Sequence, residues 1–518
     1  MKPRIGGWAD GRMVVRFAIL LSVHPTIRLA AQCPDGTPPP CRAQPTRVAP
    51  APLPNSVAVL YFDNLSPDTA DAYLADGLTD ELIARLGQLD RLVVKSRTAV
   101  RHYRGSTQDV AALGRALGVA HLVNGTVRRA GTRLRVTVEL LRAPSGDRAW
   151  GSTYDRTDAD LLALQEDIAR AVASAIAGRL LPAERASLGA RPTSRSDAYE
   201  HFLRGNYHFS QRNPRGAALA IQEYTAAIRL DPGFTAALAR VAMSYGQILD
   251  WDWNYGGHPR DTLLARGLAT VVRALQQDST ASDAWMARGY LFSFGLPRTR
   301  DHVEQAFARA LSLDPHNAEA SLRYGVLLGD LGQDSAAAAM FHRSLGIEPE
   351  RAITLWVLGR LYFTARSYLE ARRWIDSALA VEPGLYQGYA LRALIGAQRG
   401  DTAGARADAE TAMRLAPPED RLYGESVMAL LTLMAGDTLT ARVRAERLAG
   451  EVADRQTSLV LWPGIVLIAL GEHRRFLDTL DRLRWREPGF WMFLREPEFD
   501  PVRADPRFQR LVEGLRPQ

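Results

Sequence analysis

The chain has 518 residues, 47% of them apolar, and a formal charge of +7. That length allows several domains, and the apolar share excludes wholesale disorder. Lysine occurs only at Lys2 and Lys95, so the positive charge is almost all arginine, mixed with acids as in Glu370-Ala371-Arg372-Arg373; no basic run with interleaved aromatics is present, which argues against nucleic-acid binding.

The first segment reads as an export signal over residues 1–31. Arg12 and Arg16 precede the apolar run Phe17-Ala18-Ile19-Leu20-Leu21-Ser22-Val23, and Leu29-Ala30-Ala31 offers a small-residue cleavage site before Gln32. Met13 is a second candidate start. The run is shorter than the ~20 apolar residues of a membrane span, so no span is expected after cleavage. Gln32 disfavours lipid attachment at Cys33. Cys33 and Cys41 are the only cysteines. Their closeness after a signal suggests a disulfide loop in an oxidising compartment, the periplasm; incidental thiols in a disordered tail are the other reading. Residues 32–55 carry Pro45, Pro50, Pro52 and Pro54 and read as an extended linker.

From 56 to 182 the pattern is that of a small α/β domain. Val57-Ala58-Val59-Leu60-Tyr61-Phe62 predicts a strand, and Asp63-Asn64-Leu65-Ser66-Pro67-Asp68 a turn. Residues 75–86 predict an amphipathic helix with Leu78, Leu82 and Leu86 on one face. A strand at 92–95 and a helix at 110–117 follow. Strands at 121–128 and 134–141 flank Ala130-Gly131-Thr132 and predict a hairpin. A strand at 148–154 and a helix at 161–181 complete the order β-α-β-α-β-β-β-α, a mixed sheet with helices packed against it.

From 197 to 518 the pattern is helical and periodic. Pro315, Pro349, Pro383 and Pro417 fall 34 residues apart, each closing a helix that proline cannot continue. In the unit from Ala318, Gly325, Leu328, Ala337 and Phe341 occupy positions 8, 11, 20 and 24; Gly359, Tyr362, Ala371 and Ile375 repeat them from Ala352. Small residues at 8 and 20 let paired helices approach, and larger ones at 11 and 24 fill the gap to the neighbour. The unit from Tyr386 departs at position 11, where Gly396 stands. Looser units precede, with Tyr224-to-Pro232 and Trp285-to-Pro315 phrases. An aromatic insertion, Trp251, Trp253 and Tyr255, alternates with polar residues; it either covers an edge of the stack or forms a binding loop. Gly436-Asp437 and Gly471-Glu472 read as later interhelical turns.

These 34-residue units resemble the tetratricopeptide repeat. A second set of phrases, from Val57 through Ser66, Ala75-Asp76-Gly77-Leu78-Thr79, Gly125-Thr126-Val127-Arg128-Arg129-Ala130-Gly131, Tyr154-Asp155-Arg156 and Leu164-Gln165-Glu166-Asp167-Ile168-Ala169, resembles the TolB amino-terminal-like domain that precedes such repeats in many bacterial proteins. Tyr61 stands where that family usually has proline, and Asn124 where an acid is common. A DNA-binding, cyclase or kinase module often leads in these proteins; here the reading before 56 is a signal and a linker. In the repeat family, first-helix positions 2, 5, 9 and 12 face the concave surface. The resemblance therefore implies a partner groove of Glu319, Leu322 and Val326, then Ile353, Trp356, Arg360 and Phe363, then Gln387, Ala390 and Leu394.

No phosphate-cradling glycine loop is present, and no set of nucleophile, base and metal ligands stands out. His201 and His208, seven residues apart on a helix, are too far apart to share a metal. Asp76 or Thr79 reads best as a helix start, and Glu166-Asp167 as an exposed acid pair. The expected protein is an α+β chain, a mixed-sheet domain followed by an all-α solenoid, exported and non-catalytic, needing no cofactor or metal. It is expected to bind a protein or peptide in the repeat groove. The alternatives are a sensory protein whose repeats bind a small ligand and an accessory subunit of an enzyme complex. A long aromatic groove favours the first, and a closed apolar pocket the second.

Overall fold

Alternation of side chains builds the first layer. The computed structural model describes residues 52–68, 71–101, 103–157, 160–295, 299–453, 458–483 and 488–513. The expected signal, most of the expected linker and the Cys33–Cys41 pair lie outside the described residues. Strands β1 (Ser56–Val59), β2 (Asp63–Asn64), β3 (Val93–Val94), β4 (His121–Ala130), β5 (Arg133–Arg142) and β6 (Arg148–Thr157) form one sheet in the order β3-β1-β4-β5-β6, with β2 also on β4. β1 runs parallel to β3 and β4, while β4, β5 and β6 are antiparallel. Successive residues point to opposite faces. Val57, Val59 and Val123 therefore meet α1 (Ala72–Gly87) and α4 (Leu161–Ala177), and Ala58 and Leu122 meet the side of α2 (Arg97–Arg101) and α3 (Val110–Leu117).

Three local expectations change. The first strand stops at Val59, and Asp63-Asn64, expected as a turn, pairs in parallel with Thr126 and Val127. The long helix ends at Ala177 because Gly178 turns at φ 74°, and α5 (Pro182–Gly189) starts anew with proline in its first turn. The first helix begins at Ala72, so Asp76 and Thr79 lie inside it. Thr79 Oγ1 donates to the Ala75 carbonyl at 2.9 Å, and the Phe62 N–H donates to Thr79 Oγ1 at 3.1 Å.

The helical region is a series of antiparallel pairs: α6 (Ser196–Phe209) with α7 (Pro214–Leu230), α8 (Thr235–Asp250) with α9 (Arg260–Gln277), and α10 (Ser282–Ser293) with α11 (Arg300–Leu313). The regular units follow, α12 (Ala318–Asp330) with α13 (Asp334–Ile347), α14 (Ala352–Thr364) with α15 (Tyr368–Val381), and α16 (Tyr386–Gln398) with α17 (Thr402–Leu415). Two looser pairs are α18 (Leu422–Met434) with α19 (Thr438–Glu451) and α20 (Leu461–Ala469) with α21 (His473–Leu480). The 34-residue step between helix starts and the small-against-large packing identify tetratricopeptide-type repeats. A Cβ on Gly325 would lie 2.5 Å from Phe341, and one on Gly359 2.7 Å from Ile375, so each close crossing needs the missing side chain. Tyr224 and Phe307 fill the same place in earlier units. Gly396, the departure from the pattern, lets Ala405 of α17 pack against α16.

The sheet domain and the first repeats share one apolar core, continuous from Val57 to Leu327. Gly77 of α1 lies against Leu203 of α6, and the Tyr73 hydroxyl reaches Glu200. Arg85 donates to the Leu188 carbonyl at 2.6 Å.

The chain ends by returning to the middle of the stack. Gly489 leads into α22 (Phe490–Phe493), a 3-10 turn over Pro497–Val502 and α23 (Pro506–Glu513). Asp330, at the end of α12, accepts N–H bonds from Gly489 at 2.7 Å and from Trp491 and Met492 at 3.1 Å. Arg495 pairs with Asp334 at 2.6 Å and donates to the Gly329 carbonyl at 3.0 Å. This strap buries Phe490, Met492, Leu494, Phe499 and Val502 almost completely.

Candidate functional site

First helices of successive pairs put one face inward, and the strap and the sheet domain border the space they surround. The result is a cavity of about 1630 Å³. Its walls carry Asp76, Asp80 and Arg97 from the sheet domain, Arg212 after α6, Arg240 and Asp250 on α8, and Glu319 and Arg323 on α12. Arg351, Ile353, Trp356 and Arg360 come from the α14 region, Gln387 from α16 and Phe493 from the strap.

Most of these charges are already matched. Arg104 holds Asp76 with two bonds at 2.7 and 3.0 Å, and Arg97 holds Asp80 at 2.9 Å. Arg323 bonds Glu319 at 2.7 Å and Asp250 at 3.1 Å, with its guanidinium 3.9 Å from the centre of the Tyr290 ring. Arg351 pairs with the same Glu319 and, at 2.6 Å, with Glu348. Burial works against the Glu319 charge, but Arg351 and Arg323 outweigh it and hold the carboxyl down at about 2. Burial also lifts Asp80 to about 7, against the pull of Arg97.

Arg360 has a different setting. It is completely buried, and Nε donates to Glu496 of the strap at 2.5 Å. Phe493 lies 3.7 Å from its guanidinium, Trp356 and Trp462 5.3 Å and Tyr423 5.9 Å, measured to the ring centres. Four aromatic faces thus surround one cation. Its two terminal nitrogens have no hydrogen-bond partner among the described residues.

The structure separates the expected groove residues. Glu319, Leu322, Val326, Ile353, Trp356 and Gln387 line the cavity. Arg360 touches its wall but is engaged by the strap. Phe363, Ala390 and Leu394 are instead fully buried in the apolar core between helices. In the insertion, Trp251 lines the cavity and stacks on Trp253 at 6.1 Å and 20°. Trp253 is buried, and Tyr255 meets Tyr245 edge-on at 6.1 Å. His201 is bonded to Glu223 at 2.6 Å, and Glu166 to Arg170 and Arg191 at 2.7 and 2.9 Å.

Sequence reasoning missed Arg212 and the strap. The first carried a signal in the turns between paired helices. The residue before the second helix's N-cap is a left-handed glycine at Gly332, Gly400, Gly436 and Gly471, and Arg212 occupies that place before Asn213 with φ 48°. The strap carried none, since its contacts lie 159 or more residues away from α12.

No family model matches the chain. A protein named putative adenylate cyclase 3, from Rhizobium meliloti (strain 1021), is 31% identical over 233 residues, 44% of this chain and 39% of that protein. The chain thus spans well under half the length of that curated relative. Among solved structures, PilF of Pseudomonas aeruginosa is 16% identical, with a TM-score of 0.34 over 42% of this chain and 91% of that one. PilW, a widely conserved type IV pilus biogenesis factor, is 18% identical, with a TM-score of 0.35 over 42% and 92%. Among the described residues, no helix is long and apolar enough to cross a membrane.

Proposed function

We propose that this chain is an exported, non-catalytic interaction module that holds an extended peptide segment of a partner protein inside the repeat cavity. The carrying observation is size combined with lining. At about 1630 Å³ the cavity exceeds the ~300–1,000 Å³ of small-ligand sites. Its walls alternate apolar surface, Leu322, Ile353 and Trp356, with fixed ion pairs. Such a surface suits a chain with side chains of both kinds. Residues 56–182 are assigned to the TolB amino-terminal-like class on the phrases quoted above, and export rests on the apolar run and Leu29-Ala30-Ala31. The contacts of this reading are Trp356, Ile353, Glu319 and Gln387.

A photo-crosslinking residue at position 353 is expected to capture a partner, and one at the exposed Leu439 is not. Trp356→Ala is expected to weaken that capture by about 2 kcal/mol. Equal capture from both positions, or unchanged capture by the variant, would refute the proposal. Sequencing of the secreted chain is expected to start near Gln32.

The identity to a putative adenylate cyclase favours a second reading, in which this architecture serves as the regulatory part of an enzyme system. Cyclic AMP formation by the purified chain would displace the first reading.

A further inference from the structure

Three non-glycine residues in the described chain adopt a left-handed backbone: Arg212 at φ 48°, Asp252 at 52° and Arg366 at 61°. A side chain at such a position is strained, and selection for a specific contact is the usual reason to keep one. Two of the three have their contact inside the chain. Asp252 binds Arg260 at 2.5 Å. Arg366 donates to the Arg495 carbonyl at 2.9 Å and pairs with Asp500, so it clamps the strap.

Arg212 has no such contact. Its side chain makes no hydrogen bond or ion pair among the described residues. It is exposed, yet what it is exposed to is the cavity it lines. Glu319 is shared by Arg323 and Arg351, and Glu382, which lines the same cavity, forms no ion pair with Arg212. Desolvation by the surrounding cavity walls and the neighbouring Arg351 cation disfavour its charge, and Glu382 and Glu319 only partly compensate. A cation held by a strained turn on the cavity wall, with no ion-pair partner among the described residues, is available to an occupant of the cavity.

Resting on the peptide-binding reading above, we propose that Arg212 is the specificity contact of this cavity and pairs with an acidic side chain of the bound peptide. A planar guanidinium offers a carboxylate two parallel bonds, which fixes register as well as charge.

The test uses the full chain and a display library of random dodecapeptides, panned on wild type, Arg212→Gly and Arg212→Glu. Glycine suits a left-handed turn, so R212G is expected to melt no lower than wild type, which separates binding from folding. Wild-type selections are expected to share an Asp or Glu at one position. In synthetic, amidated versions, changing that acid to its amide is expected to weaken binding to wild type by about tenfold and to R212G little. R212E is expected to select Lys or Arg at the same position. Selected peptides without an acidic preference, or equal affinity for wild type and R212G, would overturn the role of Arg212 while leaving the peptide reading in place. A library that yields no binder to any variant would overturn both.

Discussion

Arg360 shows how much one side chain can decide. Its residue type and helix position both fit a groove residue, and its stripe with Trp356 and Phe363 is visible in the sequence. What the sequence does not display is Glu496, 136 residues later, which takes the cation for the chain itself. A buried ion pair loses heavily when only one partner is removed. Arg360→Ala is therefore expected to destabilise the protein by roughly 3–5 kcal/mol, read by denaturant unfolding. Beside it, burial and the Glu496 charge push Glu498 up to about 8, although Gln398 donates to it at 3.0 Å. Its proton is held more tightly in the folded chain than in the unfolded one. The stability this confers is complete below the ordinary carboxyl range, shrinks as pH rises, and is gone above about 8. Thermal melts are expected to fall by roughly 2–4 °C between neutral and alkaline pH, and Glu498→Gln to flatten that slope.

At the scale of elements, what was legible in the sequence is what is local. The repeats could be read because their signals, proline after the second helix and small residues at the crossing, sit within one 34-residue unit. The β4–β5 hairpin could be read because Gly131 supplies its left-handed turn at φ 61°. Asp63-Asn64 was misread because a polar pair becomes a strand only when β4 lies beside it. The strap escaped for the same reason: Phe490-Trp491-Met492-Phe493 is an apolar run whose docking depends on a carboxylate at the end of α12. Asp330→Asn replaces one acceptor oxygen with a donor amide facing backbone N–H groups. Hydrogen exchange over residues 488–502 is expected to accelerate in that variant by about tenfold or more, with α6–α9 unchanged. Unaltered protection of that segment would show that apolar burial alone holds it.

For the whole molecule, the continuous core from Val57 to Leu327 means that the sheet domain does more than precede the repeats. It supplies the terminal cover that a helical stack requires, with α1 lying over the exposed side of α6. A fragment of residues 196–513 lacks that cover over Leu203 and Tyr199, both buried in the intact chain. It is expected to melt several degrees lower and to lose protection first in α6 and α7, as hydrogen exchange would report. Equal stability of the fragment would show that the sheet domain is a passenger.

The strap also changes how this stack carries a mechanical load. In an open solenoid each unit touches only its neighbours, so tension applied at the last residue peels the terminal pair and then works inward. Here Gly489 is bonded to Asp330, and the helices from α13 to α21 lie within a closed loop of 159 residues. A pull from the C-terminal side is shared among the Arg366 and Arg360 contacts at α14 and the Asp330 contact at the end of α12, rather than falling on the last pair alone. Peeling inward from that end therefore requires the Asp330, Arg360, Arg366 and Arg495 contacts to shear together.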